Sequence, residues 1–522
     1  MNLRKLADRV LAKFGFARRN AFSYTGAQAN RLTLDWFAAI LSADQETKGN
    51  MRTLRARGRE LGRNNPVAKQ YLNLLAANVI GSAGIQYQSR VRSASGDLDS
   101  ETNRKVETAF KDWSKRGNCT VDGKLSLRAV EDLAVRSVAT DGEVFVRHVP
   151  GFANRHRYAI QLIDADCIDH NYTRERGKNE NEIRLGVEVD GWGRPVAYYV
   201  SPYHPSDFGG SLERERIPAE YITHLYDPAR VNQTRGVTWF HSVMLAMRIL
   251  EGYIEAELVA ARTGASKMGF LKYKDDADFD PPDPSKTKIR FEAAPGTVEM
   301  LPPGMEFVEW KLEHPANAFP NFVQAVLRQI ATGLGVSYNA LANDLVGVNY
   351  SSIRAGLLTE RDQWRRHQAW FGESFLQPIF DQWLPMALLS GELKLPSRDF
   401  RQYSEGRWQS RGWQWVDPLK DVQAAIMAVD AALDTRDDVI SDRGGDFEET
   451  LEQLAEEKKL AEKYGIELQG STTTPLLADK VPGTDDNVVD ENDPNAAETK
   501  PLSPKRFAKM RELALAVGGK PQ

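Results

Sequence analysis

The segment from Gly236 to Leu389 constrains this chain more than any other. A hydrophobic period of 3.6 residues starts, stops, resumes and stops again, and then runs on through a last long stretch. Val243, Met247, Leu250, Tyr253, Ile254, Leu258 and Ala261 mark one face of a long helix, with Arg248, Glu251, Glu255 and Arg262 on the remainder. Over 267–316 that period is lost. Residues 269–273 read as a short strand, an acidic proline-rich loop runs from Asp275 to Pro284, and 297–301 and 307–310 add two strands around Pro302-Pro303-Gly304. Phe319, Phe322, Val323, Val326, Leu327, Ile330 and Leu334 restore helical spacing, and Gly333 and Gly335 end it. Residues 337–351 read as a loop. Ser351 or Ser352 can cap a very long helix reaching about Leu389, bent or interrupted at Pro378 and Pro385. So a small β insert sits between two helices, and a long helix follows them.

The flanking regions are mixed. Leu3, Leu6, Val10 and Phe14, with Arg4, Lys5, Arg9, Lys13, Arg18 and Arg19 around them, make residues 1–22 a basic amphipathic arm. It docks on its own domain or a neighbouring subunit, or serves as a membrane or nucleic-acid arm. Arg52, Arg55, Arg59 and Arg63 share one helix face, which is either a solvated surface or a phosphate contact. Pro66 starts a second helix through Tyr71, Leu74, Leu75 and Val79 that ends at Gly81–Gly84. Ser126 caps a helix over 127–138; strands follow at 143–148, 158–163, 186–190, 196–200 and 222–226. This is an α+β domain with a mainly antiparallel sheet. Trp408, Trp413 and Trp415 belong to a core or to a subunit interface. Helices are expected at 419–434 and 447–464, the second begun by Asp446 with Glu449. Residues 469–522 read as a disordered acidic tail, with a short terminal helix possible over 503–517.

A length of 522 residues implies several subdomains, and a net charge of -4 exerts no global pull on nucleic acid. Cys119 and Cys167 offer no disulfide framework, which fits a reducing compartment. No apolar run approaches the ~20 residues of a membrane span, and Asp8, Arg9 and Lys13 break up any secretory leader. Phosphate-cradling GxxxxGK[ST], HExxH and GxSxG motifs are absent. Gly333-Leu334-Gly335 follows a helix, so it is a helix stop rather than a dinucleotide loop. The best carboxylate cluster is Asp164, Asp166 and Asp169 with His170. It is a polar turn after a strand, or in the alternative an Mg or Mn site of a metal-dependent DNA-processing enzyme. No catalytic, cofactor-binding or metal residue is assigned, and no cofactor is expected.

Several runs in a fixed order resemble the portal proteins of lambda-type phages. They are Leu54-Arg55-Ala56-Arg57, Arg63-Asn64-Asn65-Pro66-Val67-Ala68 and Asn78-Val79-Ile80-Gly81, then Asp141-Gly142-Glu143-Val144-Phe145-Val146-Arg147 and Gly193-Arg194-Pro195-Val196-Ala197-Tyr198-Tyr199. Ile217-Pro218-Ala219, His224-Leu225-Tyr226 and Gln233-Thr234-Arg235-Gly236-Val237 follow, and 255–262 resembles the family's long helix. Gly333-Leu334-Gly335-Val336-Ser337-Tyr338 and 349–357 are the most specific, and Trp415-Val416-Asp417-Pro418 comes in its expected place. The likeness spans roughly residues 30–465.

It implies a structural protein rather than an enzyme: a dodecameric ring at one capsid vertex, the channel for double-stranded DNA packaging and ejection. Implied partners are further copies of the chain, duplex DNA without sequence specificity, terminase, the major capsid and scaffold proteins, and a head–tail connector protein. The place would be the virion, after assembly in the host bacterial cytoplasm. The family's fold assigns 23–237 to an α/β wing, 238–266 and 317–336 to a two-helix stem, and 267–316 to a small β clip. Residues 337–351 become the tunnel loop, 352–416 the tunnel helix and return to the wing, and 417–468 a helical crown. A generic capsid shell subunit is a third reading. By this mapping Asn343, Asp344, Val348, Asn349 and Tyr350 are the DNA-proximal loop residues. Arg354, Arg361 and Arg365 form a basic face on the tunnel helix, part-neutralised by Glu360 and Asp362, for DNA or for a ring neighbour. Asp275, Asp276, Asp278 and Asp280 form a clip loop for the partners. A ring repeats every phosphate contact, so a strongly basic lumen would stall sliding DNA, and the loop should touch it weakly.

Overall fold

The computed structural model describes residues 39–466 except 94, 179, 208–212, 267–268, 274–304, 310–318, 347–349, 396–399 and 414–417. The N-terminal arm, the acidic tail, the clip aspartates, Val348, Asn349 and Trp415 lie outside the described residues. Helix α1 (Ala43–Asn64) opens on a capping box in which the Ser42 hydroxyl accepts from the Gln45 amide and the Gln45 side chain accepts from the Ser42 amide. Asn65 ends α1 and caps α2 (Pro66–Leu75), whose first turn holds Pro66, where a missing N–H removes no helical bond. A π-turn, Ala76–Ile80, follows, and Gly81 closes it at φ 78°. Strand β1 (Gln86–Ser89) and helices α3 (Ser100–Trp113) and α4 (Leu127–Asp141) come next, α4 capped by the Ser126 hydroxyl on the Ala129 amide.

Strands β2 (Glu143–Pro150), β3 (Tyr158–Ile163), β4 (Glu182–Arg184), β5 (Val187–Val189), β6 (Pro195–Val200), β7 (Glu215–Pro218) and β8 (Ile222–Tyr226) form two antiparallel sheets rather than one. Their orders are β3-β2-β8 and β4-β5-β6-β7. Phe145, Ile163, Val187, Tyr198, Ile217 and Ile222 make the apolar layer between them. The split puts two hydrophobic faces against each other, which buries both.

Helix α5 (Met244–Ser266) leads to an antiparallel pair, β9 (Gly269–Tyr273) and β10 (Met305–Glu309), and then to α6 (Phe319–Leu334). Tyr253 of α5 meets Phe322 of α6 edge-on at 5.1 Å. A Cβ on Gly333 would lie 2.4 Å from Cγ1 of Val243, the residue just before α5, so α6 approaches the start of α5 this closely because that residue is glycine. Residues 337–351 are not loop throughout: Ser337 caps a short helix, α7 (Tyr338–Ala342). Helix α8 (Tyr350–Phe371) begins before Ser351, so neither Ser351 nor Ser352 is its cap. A π-turn at Gly372–Leu376 joins it to α9 (Gln377–Ser390), where Pro378 occupies the first turn and Pro385 lies inside. The disturbance therefore falls one turn ahead of Pro378, as a widened turn that accommodates the absent donor.

Strand β11 (Gly406–Gln409) returns to pair with β1. Around that join Tyr87, Phe110, Trp113, Phe380, Trp383 and Trp408 pack ring against ring. Trp383 and Phe380 are fully buried, each contributing roughly 2–3 kcal/mol through apolar area removed from water. Trp408 belongs to this core and donates its indole N–H to Gln377 at 2.8 Å; Trp413 lies at the rim and donates to Asn78. Helices α10 (Pro418–Asp430), α11 (Arg436–Asp442) and α12 (Phe447–Tyr464) end the described chain. The periodicity does not foretell α11, which is too short for a period to register. Asp446 caps α12 through the Glu449 amide, as expected. The chain divides into one unit ending at Leu451 and a second beginning at Glu452. Among the described residues no helix is long and apolar enough to cross a membrane.

Candidate functional site

Two regions gather the residues singled out by the sequence. The first is the connection from α6 through α7 to α8. Gly335, at φ 69°, turns the chain out of α6, and Ser337 restarts it by accepting from the Ala340 amide at 3.3 Å. Asn343 ends α7 in the left-handed conformation at φ 51°, a geometry asparagine tolerates well, and its side chain is exposed. Asp344 turns back: it accepts from the Tyr338 hydroxyl at 2.7 Å and from the Val346 amide at 3.0 Å, and these bonds hold its carboxyl below the usual range. Leu345 and Val346 project outward at 65% and 87% exposure. The connection thus presents neutral and apolar side chains, with its one carboxylate tied into its own turn. Tyr350 opens α8.

Arg354, Arg361 and Arg365 of α8 face α10 and α11. Arg354 pairs with Asp421 at 2.8 Å, and Arg365 reaches Asp442 at 3.5 Å and Asp362 at 3.8 Å. Arg361 lies over the Trp413 ring, 5.9 Å from its centroid. Glu360 does not neutralise this face: it is buried and accepts from the Trp364 indole. Partners for Arg354 and Arg365 therefore come from the same chain.

The second region is one that sequence reasoning misread. The arginine face of α1 is split. Arg52 and Arg63 are exposed, but Arg55 is 2% exposed and Arg59 is half-buried. Arg55 donates to Glu143 at 2.7 Å and to Asp166 at 2.5 Å. Arg59 donates to Asp141, Asp164 and Asp166 at 2.6–2.9 Å. The middle of this face is therefore an internal ion-pair network and not a phosphate contact. Glu143 and Arg235, both wholly buried, are its centre. Arg235 also donates to the Leu185, Ile168 and Ala165 carbonyls, and His224 bonds the second oxygen of Glu143 at 2.9 Å. Gly142 and Gly236 make this possible: a Cβ on Gly236 would stand 2.0 Å from the Gly142 carbonyl oxygen. The only sequence signals were Asp141-Gly142-Glu143 and Arg235-Gly236, which carry the family resemblance but no visible reason for it.

The same network answers the metal alternative. Asp164, Asp166 and His204 do converge. Burial would raise the Asp166 carboxyl, but Arg55 and Arg59 hold it lowered, and their guanidinium groups already bond the oxygens a cation would need. Asp169 stands apart, paired with Arg214 at 2.6 Å. Two fixed positive charges beside the cluster oppose a divalent ion by simple repulsion.

The family described as phage portal protein, lambda family, matches residues 29–368. The chain is 36% identical over 485 residues to a protein of Halomonas phage phiHAP-1 named "Probable portal protein", covering 91% of this chain and 93% of that one. It is 25% identical over 452 residues to portal protein B of Escherichia phage lambda, with 79% and 83% covered. Among solved structures it is similar to a chain in the neck of a native gene transfer agent particle, at 15% identity and a TM-score of 0.40, with 75% and 91% covered.

Proposed function

This chain belongs to the lambda family of phage portal proteins, and on that premise we propose that it forms a dodecameric ring at a single capsid vertex through which double-stranded DNA enters and leaves. It is a structural component of the virion and not an enzyme. Copies assemble in the host bacterial cytoplasm; the ring meets the major capsid and scaffold proteins at the vertex, terminase during packaging and a head–tail connector afterwards.

The observation that carries this reading is the order α5, β9–β10, α6, α7, α8 within a chain that matches the family over 29–368. In the assignment we propose, 238–266 and 317–336 are the stem, 267–316 the clip, 337–351 the tunnel loop, 352–416 the tunnel helix with its return, and 417–468 the crown. Sliding requires weak phosphate contact, because each neutralised phosphate releases counterions and the ring multiplies the effect. The α7–α8 connection suits that demand: Asn343, Leu345 and Val346 carry no charge, and Asp344 is held by Tyr338. Arg354 and Arg365 sit beside carboxylates of their own chain, which damps their pull on DNA.

Electron microscopy of the purified chain tests the proposal. Rings with a channel wide enough for duplex DNA are expected; compact monomers, or closed shells without a channel, refute it. Deleting 276–284 should leave rings intact while abolishing their binding to terminase or connector, since the acidic loop lies in the proposed clip.

A further inference from the structure

We propose that an arginine-lined cleft between α4, the π-turn after α2 and the segment following β11 is a binding site for nucleic-acid phosphates. The cleft is a cavity of about 960 Å³ lined by Arg128, Arg136, Arg411 and Arg443 with one carboxylate, Asp132. Arg128, Asp132 and Arg136 are spaced by four residues on one face of α4. Arg128 donates to the Ser82 carbonyl at 2.6 Å, and Arg411 donates to the Ala77 carbonyl at 2.5 Å. Carbonyl oxygens orient a guanidinium without cancelling its charge, so both forks are preorganised and still cationic. Gly412 packs so closely on the end of α11 that a Cβ there would lie 2.3 Å from the Arg443 carbonyl carbon, which brings Arg411 and Arg443 onto one wall.

Trp413 and Arg443 also line a second cavity, of about 270 Å³, together with Arg354, Arg361 and Arg365. The two cavities hold seven arginines against Asp132, Asp421 and Asp442, in a chain whose net charge is -4. Burial, with smaller contributions from the nearby Arg365 and Arg411, lowers the Arg361 pKa, while Asp421 opposes them. Arginine forks match phosphate oxygens in geometry and charge. An acidic polypeptide fits less well: among the described residues, Ile80 and Trp413 are the only large apolar side chains lining the main cleft, and a docked peptide needs apolar anchors. Such a cleft holds nucleic acid rather than letting it slide, so the bound stretch is a parked one. The inference rests on the portal reading only in that DNA is at hand.

The test is fluorescence anisotropy of the full chain with a short labelled duplex across a salt series, with native mass spectrometry of the same samples. Arg136→Glu with Arg443→Glu, both on the wall of the main cleft, should weaken binding about tenfold or more and flatten the salt dependence by about one to two units of slope. Arg128→Gln with Arg411→Gln should do the same. Arg248→Glu, exposed on α5, should change nothing. Unchanged affinity in both pairs overturns the proposal. So does polyglutamate binding without duplex binding, or loss of oligomers in both pairs, which would make the cleft a subunit contact. A chain that binds duplex through these arginines but never forms rings would refute the portal assembly and leave the cleft standing.

Discussion

Arg235 and Glu143 meet guanidinium to carboxylate at 2.6 Å, and neither side chain reaches solvent. Burial alone would raise the Glu143 carboxyl, but Arg235, the His224 ring and Arg55 together hold it far below its ordinary value. The pair joins β2 to the turn before Trp239, and Arg55 ties α1 to the same carboxylate. A buried charge with this many partners is stable only while all of them are present.

Glu143→Gln leaves Arg55 and Arg235 facing a neutral amide. It should destabilise the chain by about 3–5 kcal/mol, read as a lower denaturant midpoint. A depressed carboxyl pKa stabilises the folded chain fully above the unfolded value of 4.5, and that contribution is lost as pH falls below it. The wild-type midpoint should therefore drop through the acid range more steeply than the variant's. Parallel profiles would contradict the pairing.

Glu131 has the opposite sign. It is fully buried on α4, accepts from the Ile85 amide at 3.1 Å, and burial pushes its pKa up from 4.5 to about 8. The folded chain then holds a proton that the unfolded chain releases, so stability falls as pH rises from 4.5 through 8. Glu131→Gln keeps an acceptor for Ile85 and removes the titration. Its thermal midpoint should exceed that of wild type at pH 8 and the advantage should shrink toward pH 5.

Gly142→Ala should cost about 3 kcal/mol or more. The residue sits at φ 94°, and an added Cβ would lie 2.4 Å from the Val237 backbone. Soluble yield and unfolding midpoint report the loss. An alanine variant of wild-type stability would mean that the contact between 142 and 237 is absent.

Arg354 and Asp421 offer a reversal test. Arg354→Asp alone removes the ion pair between α8 and α10, and Asp421→Arg in the same chain restores it with the charges exchanged. The coupling should be about 0.5–1 kcal/mol, given partial exposure. If packaging of DNA falls in the single variant and returns in the double, the arginine acts through Asp421. If packaging stays low in the double, it acts on something beyond its own chain.

Much of the element order was legible because its signals are local. The spacing of Phe319, Phe322, Val326, Ile330 and Leu334 predicts α6, and Gly335, which is left-handed in the structure, marks its end. Ser126 and Asp446 cap the helices they precede. The 337–351 segment was legible only as a break: its short helix α7 lacks the length to show a period. At the site, Asp344 was visible as a candidate, but its bond to Tyr338 was not.

By itself, the sequence determined the order of most of the longer helices and strands and which side of each is apolar, since caps, periods and glycine stops act over a few residues. Only the tertiary structure decided what covers each face. The arginine stripe 52–63 has one spacing whether water, phosphate or carboxylate meets it, and Arg55 found Glu143 across 88 positions. The pairing of β1 with β11, the division into two sheets and the gathering of seven arginines around Trp413 have the same origin. Contacts between residues far apart in the chain depend on how whole elements pack, and periodicity along one element carries no record of its neighbour.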